Sequence, residues 1–112
     1  IIGGYKTVDK ALEEKLPQVI ERFAGQNRYE TAGLIAKHTY KDATEAFVAS
    51  GENWPDALVI GPIAAKVKAP ILLIGKDGSK ETKKYMEESK VKGLVIVGGE
   101  DMISKEAVEA FK

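Results

Sequence analysis

The chain has 112 residues, 44% hydrophobic and 30% charged, which fits one folded domain with its own core rather than a disordered segment. Its 17 basic and 17 acidic residues cancel, which argues against nucleic acid as a partner because phosphate backbones usually select a basic excess. The lack of cysteine excludes disulfides and a thiol nucleophile. No apolar run reaches the roughly 18 residues of a membrane span, so we predict no membrane partner.

The start of the chain is echoed near its end. Ile1-Ile2-Gly3-Gly4 returns as Ile96-Val97-Gly98-Gly99, an offset of 95 residues (96 minus 1), and a predicted helix follows each copy, at 8–16 and 103–112. Apolar positions of the two helices correspond in pairs: Val8 with Ile103, Leu12 with Ala107, and Leu16 with Phe111. We interpret residues 1–16 as the tail of a preceding repeat or an N-terminal extension, and residues 17–112 as one repeat, so that the chain is an excerpt of a tandem array.

Between the two echoes, apolar runs alternate with helical periodicity. Strands are predicted at 19–23, 45–50, 70–74 and 93–97, where apolar residues cluster. Helices are predicted at 27–40, 53–67 and 79–90. This alternation is typical of an α/β fold, with a mainly parallel sheet and helices on both faces.

Residues that cap helices support these boundaries. Asn27, with Glu30 three residues later, has the form of a capping box. Ser79 and Ser104 stand where they can cap the later helices in the same way. The turn at Gly98 and Gly99 is interpreted as a tight strand-to-helix connection in which glycine accepts a positive φ.

The predicted helix at 53–67 has an unusual composition. It enters through Asn53, Pro55 and Asp56, which suit a first turn. Residues 57–65 are apolar around the whole circumference, which predicts a buried core helix that Pro62 kinks or splits. The small side chains in this segment also permit close packing against a neighbouring helix or a related domain.

The two arginines of the chain, Arg22 and Arg28, flank a turn at Gly25, whereas the other 15 basic residues are lysines. Guanidinium holds a carboxylate or a phosphate through two parallel hydrogen bonds, which a lysine ammonium cannot do. One interpretation is structural: an arginine pairs with Asp56 or Glu52 and ties two motifs together, because a buried unpaired charge is costly.

The other interpretation is functional. Both arginines project towards one groove, and at least one of them holds an anionic polymer. Tyr29 or Trp54 then offers a flat surface on which sugar rings pack. The two interpretations are compatible, and residues alone leave both open.

Catalytic arrangements are weakly supported. Ser50, His38 and Asp56 lack the Gly-x-Ser-x-Gly turn that projects a serine nucleophile. Glu52 and Asp56 form a carboxylate pair, but a spacing of four favours the helix dipole, a cap or an arginine over glycoside hydrolysis. The residues after Gly98-Gly99 are two acids, which would repel a dinucleotide pyrophosphate. With one histidine and no cysteine, we predict no catalytic residue, no metal and no cofactor.

Four motifs in order resemble the cell wall binding repeat type 2. They are Arg22-x-x-Gly25-x-x-Arg28-Tyr29-x-Thr31-Ala32, Ala49-Ser50-Gly51-x-Asn53-Trp54-Pro55-Asp56-Ala57-Leu58, Pro70-Ile71-Leu72-Leu73 and Val95-Ile96-Val97-Gly98-Gly99. The resemblance runs from about Arg22 to the C-terminus. Trp54 stands where phenylalanine or another aromatic residue is also common in this family.

The resemblance implies a Toprim-like α/β fold and an extracellular, cell wall location. Such repeats occur in surface proteins of clostridia and related Gram-positive bacteria, including S-layer proteins and autolysins. They usually stand three in a row, pack around a pseudo-threefold axis, and anchor their parent noncovalently to anionic, teichoic acid-like wall polysaccharides. The family motif at Pro70-Ile71-Leu72-Leu73 is tied to polymer attachment, but as a predicted buried strand we interpret its effect as largely structural.

Two alternatives remain beside a noncatalytic anchoring module. The parent protein could be a peptidoglycan hydrolase of the N-acetylmuramoyl-L-alanine amidase type, although this stretch lacks the residues of a zinc site. The chain could also be an assembly module that contacts only sister repeats, through its small-residue helix and echoed edge.

Overall fold

The computed structural model describes residues 1–76, 78–99 and 103–109. Its elements in chain order are α1 (Lys10–Lys15), α2 (Arg28–Thr39), β1 (Glu45–Ser50), α3 (Trp54–Lys66), β2 (Ile71–Ile74), α4 (Lys80–Glu88), β3 (Gly93–Val97) and α5 (Lys105–Glu109). Of the last predicted helix, at 103–112, the part Lys105–Glu109 is helical, residues 103–104 precede it, and residues 110–112 lie outside the described part of the chain. Among the described residues, no helix combines the length and apolar character needed to cross a membrane.

Three strands form one sheet in the order β2-β1-β3, and both pairings are parallel. In the central strand, Val48 lies opposite Leu72 on one side and Ile96 on the other. Five of the six residues of β1 are buried. A central strand that is covered on both faces has a nearly continuous run of apolar residues, and this run is what predicts the strand at 45–50 from sequence.

Helices cover both faces of the sheet, as predicted. On one face, even-numbered strand residues pack with α2, α4 and α5 in a core formed by Ala36, Ala46, Val48, Leu72, Ile74, Tyr85, Val91, Ile103 and Ala107. On the other face, a smaller core packs under α3 and contains Phe47, Ala64 and Ala69. The α/β class with a parallel sheet is therefore confirmed.

The prediction that residues 57–65 form a fully buried helix is wrong. Ala64 is buried, but Leu58, Val59 and Ile63 are 68%, 73% and 53% exposed. The reason is that α3 packs only on the sheet, and none of the described elements covers its outer side. Pro62 does not split α3, which continues to Lys66.

The predicted strand at 19–23 does not join the sheet. Only Phe23 pairs, in an isolated parallel bridge with Ile2, and Ile20 is 90% exposed. The apolar residues of this segment find a partner of three residues, too short for a ladder. Ile1, Gly3 and Phe23 exchange the backbone hydrogen bonds that hold the two segments together.

The helix caps follow the predictions, with differences in detail. Asn27 Oδ1 accepts from the Glu30 amide at 2.9 Å, whereas Glu30 Oε2 accepts from the Gln26 amide, one residue earlier than in a capping box. Ser79 Oγ accepts from the Thr82 amide at 3.2 Å, and Ser104 Oγ accepts from the Ala107 amide at 3.2 Å.

Candidate functional site

Arg28 lies at the carboxyl edge of the sheet. It is the first residue of α2, immediately after the Asn27 cap, and it is exposed. Its Nη1 donates to the carbonyl oxygen of Gly51, the residue that follows the central strand. A guanidinium has five N–H donors, and within the described residues Arg28 uses one of them in this bond. The other donors remain for an outside anion. The carboxyl ends of parallel strands are also where open α/β sheets bind ligands.

A cleft of about 590 Å³ opens beside Arg28, between the N-terminal segment and the start of α2. Its lining is Ile2, Gly3, Gly4, Tyr5, Lys6, Thr7, Gly25, Gln26, Asn27, Arg28, Thr31, Ala32, Ile35 and Leu73. The charged residues of this lining are Lys6 and Arg28, and it contains no carboxylate. The cleft therefore combines positive charge with amide and hydroxyl groups, which suits an anionic, hydroxyl-rich ligand.

Tyr29 does not line this cleft. Its ring packs against Gly51, where a Cβ would lie 2.5 Å from the ring, so a larger residue at that position would displace the ring. Tyr29 instead lines a second recess of about 390 Å³. The charged residues of this recess are of both signs: Lys76 and Lys80, but also Glu52 and Glu81. The first cleft is therefore the better anion site.

Glu81 keeps the second recess mixed in charge. Its carboxylate accepts from Asn27 Nδ2 at 2.8 Å and from Ser79 Oγ at 2.9 Å. These hydrogen bonds hold the pKa of Glu81 below its usual value, and the bond from Asn27 has the largest effect. The carboxylate is thus ionised at neutral pH and repels an anion in this recess. It also joins the N-terminus of α4 to that of α2.

Arg22 lies elsewhere and braces the N-terminal segment. Its Nη1 donates to the Gly3 carbonyl at 2.8 Å, and its Nη2 lies 3.2 Å from Glu13 Oε2. The guanidinium carbon stands 4.2 Å from the centroid of the Tyr5 ring. Since only 10% of its side chain is exposed, Arg22 is positioned to hold the fold.

The predicted relation between the arginines is therefore corrected. They do not project into one groove, because Arg22 is absent from the lining of the cleft that Arg28 enters. The expected pairing of an arginine with a carboxylate occurs, but the partner of Arg22 is Glu13 rather than Asp56 or Glu52. Polymer binding by either arginine stays a prediction.

The entrance of α3 has the expected shape with a different cap. Asp56 lies in the first turn, as expected for an acid at the positive end of a helix. Asn53 is the cap residue, but its side chain accepts no capping hydrogen bond. Ser50 Oγ instead accepts from the Glu52 and Asn53 amides, both at 3.1 Å. Trp54 begins the helix, and its side chain lies outside what the structure describes.

The structure separates the residues of the rejected hydrolase triad. Ser50 is fully buried and occupied by the turn. His38 Nε2 lies 3.3 Å from Glu21, and its ring packs edge-on against Phe23. Within the described residues, no group of three or more acids and histidines is placed to hold a metal ion.

The segment Pro70-Ile71-Leu72-Leu73 is only alternately buried, which corrects the prediction of a buried strand. Pro70 and Leu72 are buried, whereas Ile71 and Leu73 are half-buried. Successive side chains of a strand point to opposite faces, so Leu72 enters the main core whereas Ile71 lies on the face with the smaller core, where it stays partly exposed. Leu73 reaches the cleft beside Arg28, so the family motif contributes both to the core and to the candidate site.

Glycines fix the turns that carry these groups. A Cβ on Gly25 would lie 2.6 Å from Glu30 Cβ and 2.7 Å from the Thr31 amide nitrogen, so the chain can approach α2 only with glycine. Gly98 has a φ of 126°, which confirms the predicted positive-φ turn. Gly99 follows it, and its carbonyl accepts from the Ile103 amide at 3.1 Å.

Sequence reasoning missed Tyr5, Lys6 and Gln26 as site residues. The first two lie in the segment assigned to a preceding repeat, so no motif drew attention to them. The signal in the sequence that points to them is an aromatic residue and a cation directly after Gly3-Gly4.

Comparisons with known proteins place these features in a family. The family model of cell wall binding domain 2 (CWB2) matches residues 22–109. The N-acetylmuramoyl-L-alanine amidase LytC of Bacillus subtilis (strain 168) is 35% identical over 94 residues, covering 83% of this chain and 19% of the amidase. The amidase enhancer of the same organism is 33% identical over 95 residues, covering 84% of this chain and 14% of that protein.

Two solved structures are also similar to this chain. Cwp8 from Clostridium difficile superposes with a TM-score of 0.81 at 36% identity, over 97% of this chain and 18% of Cwp8. Cwp6 from the same organism gives 0.75 at 33% identity, over 80% of this chain and 14% of Cwp6. The chain thus spans less than a fifth of each relative's length. Because the family match covers most of the sequence, the chain belongs to the cell wall binding domain 2 family.

Proposed function

We propose that the chain holds a larger surface protein on the cell wall by binding an anionic wall polysaccharide in the cleft beside Arg28. Membership of the family supplies the coarser part of this function: the chain is a noncatalytic cell wall binding module and acts outside the cell, at the Gram-positive wall. The identity of the polymer and its place on the module are the proposed part.

The cleft itself is the observation that carries the proposal. Lys6 and Arg28 are its charged lining residues, although the chain as a whole has no net charge. Tyr5 is 58% exposed beside them, with Arg22 over one face of its ring. Cations beside an aromatic ring and side-chain amides are the groups that phosphate- or carboxylate-bearing sugars need.

Replacement of Arg28 tests this site. We expect Arg28→Ala to weaken binding to purified Gram-positive walls about tenfold, because a charge-assisted hydrogen bond is lost. Lys6→Ala should weaken it less, since an ammonium is only a point charge. Binding of the unaltered chain should fall as salt rises, because exposed charges are screened. The measurement is a pull-down at graded protein concentration, on walls with and without their anionic polymer.

Lys90→Ala is the matched control. Lys90 also carries one positive charge, but it precedes β3 and so lies at the amino ends of the strands, away from Arg28. It pairs with Asp42 on the surface, with Nζ 2.8 Å from Oδ1. Circular dichroism checks that each variant is folded. If Lys90→Ala weakens binding as much as Arg28→Ala, attraction is general and the cleft is not the site. Full retention on walls stripped of anionic polymer contradicts the proposed ligand.

The parent protein is proposed to be a surface protein or an autolysin. Relatives with an amidase or amidase-enhancer name share only this module-sized part with the chain. An amidase parent therefore remains a proposal for the longer protein, and it adds no catalytic role to the residues described.

Residues 1–16 are proposed to be the tail of a preceding module. Val8 and Leu12 correspond to Ile103 and Ala107 at the offset of 95. Ile103 and Ala107 are 2% and 3% exposed in the main core, whereas Leu12 is 48% exposed. Helix α1 has no buried residue. The apolar residues of α1 therefore have no core to pack into within this chain. We expect this of a helix whose core belongs to a preceding module.

The outer face of α3 is proposed to contact sister modules, with three modules arranged around a pseudo-threefold axis. Leu58, Val59 and Ile63 of α3, and Val67 at its C-cap, are all more than half exposed. An apolar groove of about 340 Å³ runs beside them, between α3 and α2 at the β2 edge. Contiguous exposed apolar surface of this kind marks an interaction site.

Polar substitution on α3 tests the assembly surface. We expect the chain to associate reversibly at high concentration in sedimentation velocity, and the double variant Leu58→Ser, Val59→Ser to remain monomeric because it loses apolar contact area. Leu34→Ser is the control, since Leu34 is 37% exposed on α2. Equal association of the double variant and the unaltered chain contradicts this surface.

A further inference from the structure

The edge of the sheet at β3 is open. The strand order β2-β1-β3 leaves the second side of β3 unpaired among the described strands. Gly98 and Gly99, which continue β3, are exposed. An open strand edge offers backbone donors and acceptors to another chain, and proteins usually cover or block it.

The N-terminal end of the chain shows how a segment like the end of β3 can be paired. Residues 1–3 repeat the end of β3 in sequence, and they are paired in parallel with Phe23. Phe23 N donates to the Ile1 carbonyl at 2.8 Å, and Gly3 N donates to the Phe23 carbonyl at 2.8 Å. Arg22 adds a side-chain hydrogen bond to the Gly3 carbonyl.

The two ends match in conformation as well as in sequence. Gly3 has a φ of 125° and Gly98, at the offset of 95, a φ of 126°. The next helix begins at Lys10 in the first copy and at Lys105 in the second, again 95 residues apart. The two ends thus share the conformation of the glycine turn and the spacing from that turn to the next helix.

We propose that the open edge of β3 receives the segment equivalent to residues 19–23 of a following copy of this module. That segment adds to the sheet as a fourth, parallel strand, and its arginine donates to the Gly98 carbonyl as Arg22 does to that of Gly3. The inference rests on the proposed tandem arrangement. It adds a structural interlock between successive modules, independent of the outer face of α3.

Of the three residues that contact Arg22, Gly3 is repeated at the C-terminal end and two others differ there in sequence. Glu13 corresponds to Val108, so the carboxylate is not repeated at that place. Tyr5, which lies against the guanidinium of Arg22, corresponds in sequence to Glu100, an acid. An acid in the sequence position of that ring fits the preference of guanidinium for carboxylate.

Disulfide trapping in a tandem chain tests the interlock. Lys112 corresponds to Pro17 at the offset of 95, so residues 1–112 followed directly by 18–112 keep the spacing. Val97 corresponds to Ile2, the bridge partner of Phe23. We expect Val97→Cys in the first copy and Phe23→Cys in the second to form a disulfide at least about tenfold faster than an off-register pair with Val95→Cys, because bridging needs close Cβ atoms.

The chain has no other cysteine, so the reaction reports this contact alone. Ile2→Cys with Phe23→Cys in the single chain is the positive reference. Equal rates for Val97→Cys and Val95→Cys, with a reacting reference pair, overturn the proposal. Walls and polymer are absent from this experiment, so its failure leaves the polymer site untouched.

Hydrogen exchange in the unsubstituted tandem chain provides a second measurement that no substitution can disturb. The Phe23 amide of the second copy is expected to exchange as slowly as that of the first, because each donates to a backbone carbonyl. Exchange of the second amide at the rate of an unprotected one overturns the proposal.

Discussion

Leu72→Ala is expected to lower the free energy of unfolding by about 2–5 kcal/mol, the range for a buried leucine that leaves a cavity. Leu72 is 0% exposed and belongs to the main core beside Val48, its register partner in β1. β2 is only four residues long and is an edge strand, and Leu72 is one of its two buried residues. Urea unfolding followed by circular dichroism measures the change, with the urea slope as a check on two-state behaviour.

The neighbouring residues of the same motif are the controls. Ile71 and Leu73 are half-buried, so alanine at either position should cost less than half as much. A loss at Leu72 no larger than at these neighbours would contradict the packing described here.

The comparison also separates structure from attachment in this family motif. If Leu73→Ala weakens wall binding while the fold is intact, its effect comes through the cleft that it lines. If only Leu72→Ala weakens binding, and only as the protein unfolds, the motif acts through the core.

Arg22→Ala is expected to be the second largest loss of stability, about 2–4 kcal/mol in the free energy of unfolding. The substitution removes the bond to the Gly3 carbonyl and leaves Glu13 without its cation, although that carboxylate is only 24% exposed. The contact with the Tyr5 ring is lost as well. The same urea titration measures the effect, and the N-terminal segment should become accessible to proteases before the rest unfolds.

Three variants define how the brace works. Lys90→Ala removes a pair that lies on the surface, where water screens the attraction, and should leave the free energy of unfolding nearly unchanged. Arg22→Lys keeps the charge but loses the planar fork, so an intermediate loss is expected. Glu13→Gln should recover part of the stability of the Arg22→Ala variant, because it removes the stranded charge. Equal stability of Arg22→Ala and Lys90→Ala would show that Arg22 is no brace.

Much of the fold was predictable because local signals agreed with the final packing. The strand at 45–50 is buried on both faces, and the Asn27 and Ser79 caps mark helices that begin at the next residue. The segment 19–23 misled because β-propensity says nothing about whether a partner strand is present. The helix at 57–65 misled because an apolar circumference predicts burial without telling whether the covering surface belongs to the same chain.

The candidate site was predictable only in part. Arg28 stood out as one of two arginines, and its position at a helix start followed from the Asn27 cap. The partner of Arg22 is nine positions away in sequence, in a segment that looked independent, so pairing with Glu13 had no local signature. The cleft forms between that segment and α2, and such a contact arises only from tertiary structure.

The parallel bridge between Ile2 and Phe23 also determines how the module responds to mechanical load. Tension on a surface protein pulls the first residues backwards and the rest of the chain forwards, so the two paired segments slide along each other. Their backbone hydrogen bonds, donated by the Phe23 and Gly3 amides, are then strained together in shear instead of breaking one after another. The junction is therefore oriented to resist stretching along the polypeptide.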